Sequence, residues 1–374
     1  MTAAPVARIR FGDLNPRRPK GIRRRMQLKL PSSTCSQGIA MKPLLATVLA
    51  VGLLATSGSA WPQLVPGSMD VHWNEGAEDC AARPQQAIQV HRYNDQTFIL
   101  RENPCATFEA PFMYLLVGST KALLIDTGDV ADPKQMPLAQ TVMDLLPGIG
   151  SSKMPLIVVH THGHLDHRAG DPQFQHLPNA QVIPADLDHV RKYFGFADWP
   201  NGLAQADLGD RTIDVIPTPG HYPSHISFYD RHTGLFFSGD FLLPGRLLLD
   251  DVNQDKASAK RVADFVRDRP ISHVLGGHIE MNLDGETFPW GSNYHPRERP
   301  LQMTKDDLLR LPVILSGFHF LYAERDGFTI IDQPQEMWVL GLVVIIVLVA
   351  LGTLLRWYLR RRKNARKQTA FAQT

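Results

Sequence analysis

The stretch VVHTHGHLDHRAG, Val158 to Gly170, sets four histidines and an aspartate within eight residues, directly behind an apolar run. Imidazole and carboxylate are ligands that divalent cations take readily from proteins. His162 and His164 are two apart, so at an extended strand end they face the same side and can both reach one ion. Asp166 and His167 are adjacent, and on a turn they can reach a second ion close by. His160 points opposite to its neighbour and reads as a structural residue.

Two ions need more ligands, and three later segments offer them. TPGHYPSH places His221 after a strand ending near Ile216, FFSGD places Asp240 after an apolar strand, and VLGGH places His278 after another. Each polar residue follows an apolar run and a glycine, the residue that lets the backbone turn sharply at a sheet rim. Taken singly, Asp240 could be a turn residue and His278 a loop histidine; the ordered set is what argues for a two-ion site.

The elements that must position these residues read off hydrophobic periodicity. AIQVHRY, QTFILR, FMYLLVG and KALLIDTG are successive strands, and MPLAQTVMDLLPGIG is a helix stopped by Pro147 and Gly148. PLIVVHTHGH is a buried strand running into the histidines. QVIPADLDHVRKYF is strand then helix, RTIDVIPTPGH, HISFYD and GLFFSGD are strands, DKASAKRVADFVRD is an amphipathic helix and ISHVLGGH a final strand. Antiparallel strands followed by alternating helix and strand predict a layered α/β arrangement. FGFADWPNG, Phe194 to Gly202, is either a lid or a covered loop.

In this order, HTHGHLDH, TPGH, SGD and GGH resemble the metallo-β-lactamase superfamily, most closely its glyoxalase-II-type branch, over roughly Gln89 to Glu280. The resemblance implies a four-layer αβ/βα sandwich with the site at strand ends between two sheets. It implies that His162, His164 and His221 hold one metal, that Asp166, His167 and His278 hold the other, and that Asp240 bridges them. LLIDTG matches an early family motif, in which Asp126 supports the site loop without binding metal. His225 then reads as support or packing for the site, and His295, in NYHPRERP, as a substrate contact or an ordinary surface residue. His176 and His189 read as solvated.

Two divalent ions, zinc foremost with iron or manganese also suited, lower the pKa of a bridging water so that hydroxide exists near neutral pH. The expected reaction is hydrolysis of a small ester, thioester, lactone or amide, with Asp166 orienting the nucleophile and passing its proton to the leaving group. Two alternatives stand beside it. An iron-dependent persulfide dioxygenase would leave part of the second ligand set unused, and a β-lactamase would lack the Asp240 bridge.

Charge and hydropathy set the surroundings. Of 374 residues carrying a net charge of +2, residues 1–40 have nine Lys/Arg and one acid, and Arg356–Thr374 has seven Lys/Arg and none. Between Trp61 and Leu355, 22 basic residues face 36 acidic ones, so the body is acidic, which argues against a nucleic-acid partner. Residues 41–60, MKPLLATVLAVGLLATSGSA, carry the pattern of a cleavable secretory signal with Trp61 as mature start. Met41 then reads as the natural first residue, with 1–40 outside the translated protein. Trp338–Leu355 is 18 uncharged residues, roughly 27 Å as a helix, flanked by Trp338, Trp357 and Tyr358. The basic tail 356–374 behind it predicts a cytoplasmic C-terminus and a single-pass inner-membrane protein with its domain on the periplasmic side. The expected division is 1–60 leader, 61–87 N-terminal segment, 88–285 metal-binding domain, 286–337 extension, 338–355 transmembrane helix and 356–374 tail. Cys80 and Cys105 lie in the exported part, where they either pair or stand as separate buried thiols. The expected partners are a small-molecule substrate and the membrane; oligomeric state has no signature in this sequence.

Overall fold

The computed structural model describes residues 63–150, 152–319 and 321–371. The signal-peptide reading of 41–60, the start at Met41 and the mature start at Trp61 lie outside the described residues.

The first sheet begins with four antiparallel strands, β1 (Ile88–Asn94), β2 (Thr97–Glu102), β3 (Phe112–Val117) and β4 (Ala122–Ile125). Helix α1 (Leu138–Leu145) follows, then a small hairpin of β5 (Gly148–Ile149) and β6 (Ser152–Lys153). β7 (Leu156–Val159) and β8 (Ala180–Val182) extend the sheet in parallel beyond β4, giving the order β1-β2-β3-β4-β7-β8. Helix α2 (Leu187–Phe194) starts at Asp186, whose carboxylate accepts the His189 amide at 3.2 Å, and stops at Gly195 in the left-handed region.

The second sheet is built from β9 (Ala204–Asp207), β10 (Thr212–Pro217), β11 (Ile226–Asp230) and β12 (Leu235–Gly239), then β14 (His273–Gly276) and β15 (Gln302–Met303), in the order β15-β14-β12-β11-β10-β9. Between β12 and β14 the chain makes β13 (Arg246–Leu249) and helix α3 (Val252–Val266). After β15 come α4 (Lys305–Ser316), β16 (Tyr322–Arg325) and β17 (Phe328–Asp332), and β13, β17 and β16 form a third sheet. Thr304 and Asp307 make a reciprocal capping box that fixes the start of α4, an arrangement worth about 1 kcal/mol.

Alternation along the strands explains the layers. Phe112, Tyr114 and Leu116 of β3 pack into one core with Ile213 and Val215 of β10 and Leu235 and Phe237 of β12. Met113, Leu115 and Val117 face the other way, onto Leu138 and Val142 of α1. Ile216 and Phe236 likewise turn away from the shared core, toward Val262 of α3 and Leu311 of α4. Helix, sheet, sheet, helix is the result: a four-layer metallo-β-lactamase fold, as the sequence predicts.

Two buried arginines tie the layers together. Arg211, 1% exposed, donates to the Gln96 and Val117 carbonyls, to Thr97 Oγ1 and, at 2.6 Å, to Asp230 Oδ2, joining the second sheet to the first. Arg101 on β2 grips Glu298 with both Nη atoms at 2.6 and 2.5 Å, joining the first sheet to the segment before β15. Cys80 and Cys105 are disulfide-bonded. The aromatic segment Phe194–Gly202 is a covered loop, with Phe196 buried and Trp199 packed against the inter-sheet core.

Helix α5 (Gln333–Phe371) follows β17 without an intervening residue. Its side chains are exposed from Pro334 to Arg362, and Gln333–Arg362 is long and apolar enough to cross a membrane.

Candidate metal centre

β7 ends at Val159 and releases the chain into the histidine segment, where a 3₁₀ turn over Leu165–His167 brings Asp166 and His167 round behind His164. The turn makes two clusters out of one short sequence. In the first, His162 Nε2 lies 2.9 Å from His164 Nδ1, and His221 Nε2 lies 3.2 Å from the former and 3.0 Å from the latter. In the second, His278 Nε2 is 3.1 Å from His167 Nε2 and 3.2 Å from Asp166 Oδ2. Asp240 Oδ2 stands between them, 3.5 Å from His167, 3.7 Å from His278, 3.6 Å from His221 and 4.0 Å from His162.

Backbone geometry at two glycines delivers these groups. Gly239 ends β12 with φ +52°, and a Cβ there would strike the Thr161 side chain, so the turn that presents Asp240 needs glycine. A Cβ on Gly277 would collide with Asp240 Oδ1, so glycine there lets β14 approach the carboxylate and hand over His278.

Four of the rings are held from behind. His221 Nδ1 donates to the Leu248 carbonyl at 2.7 Å, His278 Nδ1 to the Glu109 carbonyl at 2.7 Å and His167 Nδ1 to Asp126 Oδ2 at 3.0 Å. Thr161 Oγ1 donates to Asp126 Oδ2 at 2.9 Å and accepts from His162 Nδ1 at 3.0 Å. These acceptors require a proton on Nδ1, which leaves the Nε2 lone pairs of four imidazoles directed inward at one another. Asp126 itself has φ +66°, an uncommon conformation for a non-glycine residue, and is pinned by the Thr161 amide at 2.7 Å.

The electrostatics follow from this crowding. Burial and then the neighbouring imidazoles hold His162 well below the usual histidine range, and the same causes lower His164. Burial would raise the Asp166 carboxyl, but the charges and hydrogen bonds of His167 and His278 outweigh it and keep it well below the usual carboxylate range. Asp240 is lowered in the same way. Burial opposes charge on His278, yet Asp240 and Asp166 push it up to about 10. Two carboxylates thus call for positive charge at one spot, Asp240 Oδ1 is buried with no hydrogen-bond partner among the described residues, and facing lone pairs in the first cluster lie 2.9–3.2 Å apart. That donor set fits divalent cations, with one group of three imidazoles and a second of two imidazoles and two carboxylates.

The other histidines sort as follows. His160 is buried, bonded to the Ile183 carbonyl and, at 2.8 Å, to Asp171, a structural role. His225 stacks on His162 with ring centroids 5.1 Å apart and meets Thr218 Oγ1 at 2.8 Å, so it packs behind the ligands. His295 is buried against Phe288 and bonded to Glu298, 3.2 Å away, and it lines a small cavity with Phe108, Glu109, Arg246, Glu280 and Trp290. His189 is exposed beside Asp186. Sequence reasoning did not single out Thr161, although it touches Asp126, His162 and His167. Nor did it find Tyr222, whose ring lies 4.8 Å from that of His164. Tyr222 follows directly on His221, and that adjacency was the only signal available.

Part of the chain is similar to known proteins. Residues 106–278 match the metallo-beta-lactamase superfamily. An acyl-coenzyme A thioesterase, MBLAC2 of Gallus gallus, is 27% identical over 215 residues, 49% of this chain and 77% of that protein. A hydroxyacylglutathione hydrolase of Aeromonas hydrophila is 28% identical over 168 residues, 44% of this chain and 60% of that protein. A solved metallo-beta-lactamase from Pontibacter korlensis superposes with a TM-score of 0.42 at 16% identity, over 62% of this chain and 100% of that one. Residues 106–278 therefore form a hydrolase domain of the metallo-beta-lactamase superfamily, in its glyoxalase-II-like branch.

Proposed function

We propose that this chain is a membrane-anchored, exported hydrolase that uses two divalent ions to cleave a small acyl substrate, a thioester or ester ahead of a lactone or amide. The observation that carries the reading is the place of Asp240 Oδ2, within 3.5–4.0 Å of ligand nitrogens from both clusters. A carboxylate so placed suits a shared ligand, and the named relatives that hydrolyse thioesters favour that bond.

In this reading His162, His164 and His221 would hold one ion, Asp166, His167 and His278 would hold the other, and Asp240 would serve both. Such a pair of ions, zinc foremost with iron or manganese also suited, supplies Lewis acidity to water and to a carbonyl oxygen. The chain does the rest. Asp126 and the Leu248 and Glu109 carbonyls keep the rings aimed, so little reorganisation accompanies reaction. Asp166, the more exposed of the two carboxylates at 20%, stays ionised and is placed to orient the attacking water as a hydrogen-bond acceptor. Tyr222 walls the His164 side against solvent.

Export and anchoring rest on separate support. The signal-like residues 41–60, the Cys80–Cys105 bond and the basic residues behind the apolar part of α5 all favour an oxidising compartment outside a membrane crossed once. The test is metal analysis of the full chain in detergent, with an ester, thioester, lactone and lactam panel and an oxygen electrode. About two ions per chain with acyl hydrolysis and no oxygen uptake is the expected result. One iron per chain with oxygen consumption overturns it in favour of a persulfide dioxygenase.

A further inference from the structure

The apolar surface around the centre sits where a soluble substrate does not need it. Leu165, between His164 and Asp166, is 62% exposed; Phe108, next to Glu109, is 42% exposed; and Trp290, which shares a cavity with Phe108 and Glu109, is 63% exposed. Leu165 and Phe108 are chain neighbours of groups that touch His278, and Trp290 lines a cavity with the two residues that follow His278. Asp166 Oδ2 is 3.2 Å from its Nε2, the Glu109 carbonyl takes its Nδ1–H, and Ile279 and Glu280 line the Trp290 cavity. Large apolar side chains left exposed beside a site are candidates for an interaction surface.

The sheet register shows how near the His221 side of the centre lies to α5. Leu248, whose carbonyl holds His221, pairs in parallel with Ile331, and Leu249 pairs with Asp332. The separation is one strand spacing, roughly 5 Å, and α5 begins two residues further on, about 7 Å along the strand. There is no slack in the join, because Asp332 Oδ1 accepts the Gln335 amide at 3.0 Å and so caps the helix. If α5 crosses a bilayer, the His221 cluster stands on the order of 15 Å from the root of the span.

We infer that the substrate is an amphiphile resident in the membrane, a long-chain acyl ester or thioester whose chain leaves the bilayer over Leu165, Phe108 and Trp290 to bring its carbonyl to the centre. The inference rests on the acyl-hydrolase and membrane-anchor reading above and names its substrate class. Water supplies hydroxyl to the acyl carbon and a proton to the departing alcohol or thiol as the C–O or C–S bond breaks, so no other reactant is needed.

The experiment uses the full chain in phosphatidylcholine vesicles with thioesters of one leaving group and acyl lengths from four to sixteen carbons. The sixteen-carbon substrate should exceed the four-carbon one at least tenfold in kcat/KM, and Leu165→Ser with Trp290→Ser should erase most of that ratio. Twelve Gly/Ser residues inserted between Asp332 and Gln333 lift the domain away from the bilayer. They should lower turnover of the embedded substrate at least fivefold and leave the soluble one unchanged. Brominated acyl chains should quench the wild type more than Trp290→Phe. A chain-length ratio near one, or an insertion without effect, overturns the inference, as does a Trp290-dependent dimer that accounts for the apolar rim. If no substrate turns over, the hydrolase reading fails, and the quenching difference alone then decides whether the rim meets lipid.

Discussion

Replacing Cys80 and Cys105 together by serine removes a cross-link between residues 25 apart in sequence. Closing a loop of that length removes chain entropy from the unfolded state worth about 3.5 kcal/mol at room temperature. For roughly 300 ordered residues unfolding with about 2.1 cal/mol/K each, that corresponds to a melting point lower by about 5 °C. The loss should not be purely global. Cys105 sits in the β2–β3 connection, where Asn103 holds its amide at 2.8 Å, and four residues later the same connection supplies the Glu109 carbonyl to His278. Thermal melts of wild type, the double serine variant and dithiothreitol-treated wild type, each with and without added zinc, measure both effects. The variant and the reduced protein should coincide, melt lower, and gain less from zinc. Melting within 1 °C of oxidised wild type, or an unchanged zinc response, would refute the claim that this bridge braces the second cluster.

Other outcomes follow from single contacts. His164→Ala should abolish turnover and metal loading of the first cluster, checked by metal analysis, while leaving export intact by fractionation. Asp126→Ala removes the acceptor of His167 and Thr161, and metal affinity measured by chelator competition should fall about 10- to 100-fold. Arg211→Met leaves Asp230 buried without its partner and should cost about 3–5 kcal/mol in urea unfolding. Burial raises the Glu102 carboxyl to about 8. The folded state thus keeps a proton that the unfolded chain releases from pH 4.5 upward, so this group favours folding less as pH climbs through that window to about 8. Glu102→Gln should flatten the decline, and melting temperatures that fall equally in both proteins would exclude the assignment.

What could be read from sequence, and what could not, divides along the range of the interaction. The strand tips carrying His162, Asp240 and His278 are local events, an apolar run, a glycine and a polar residue, and the structure brings all seven named residues into two adjoining clusters. The third sheet escaped notice although Pro244-Gly245 and Asp326-Gly327 punctuate its strands, because β13 and β17 are short and pair in parallel from distant parts of the chain, and β9 reads AQAD, too polar to mark a strand. The Leu248 and Glu109 carbonyls that aim two of the rings are backbone groups, which no side-chain pattern announces. His295 reads from sequence as a substrate contact or a surface residue; its ring is buried on Phe288, seven residues earlier, and its amide donates to the Glu75 carbonyl from a distant part of the chain. Arg211 reaches Gln96 and Val117 across more than ninety residues, so its role exists only once the sheets have met.

The Asp126 carboxylate has a consequence for how the centre responds to disturbance. One of its oxygens takes His167 directly and His162 through the Thr161 hydroxyl, so a ring from each cluster hangs on the same hinge. Tilting either imidazole tugs on that shared pivot and is felt by the other. The two halves therefore behave as one mechanical part, and damage on one side registers on both.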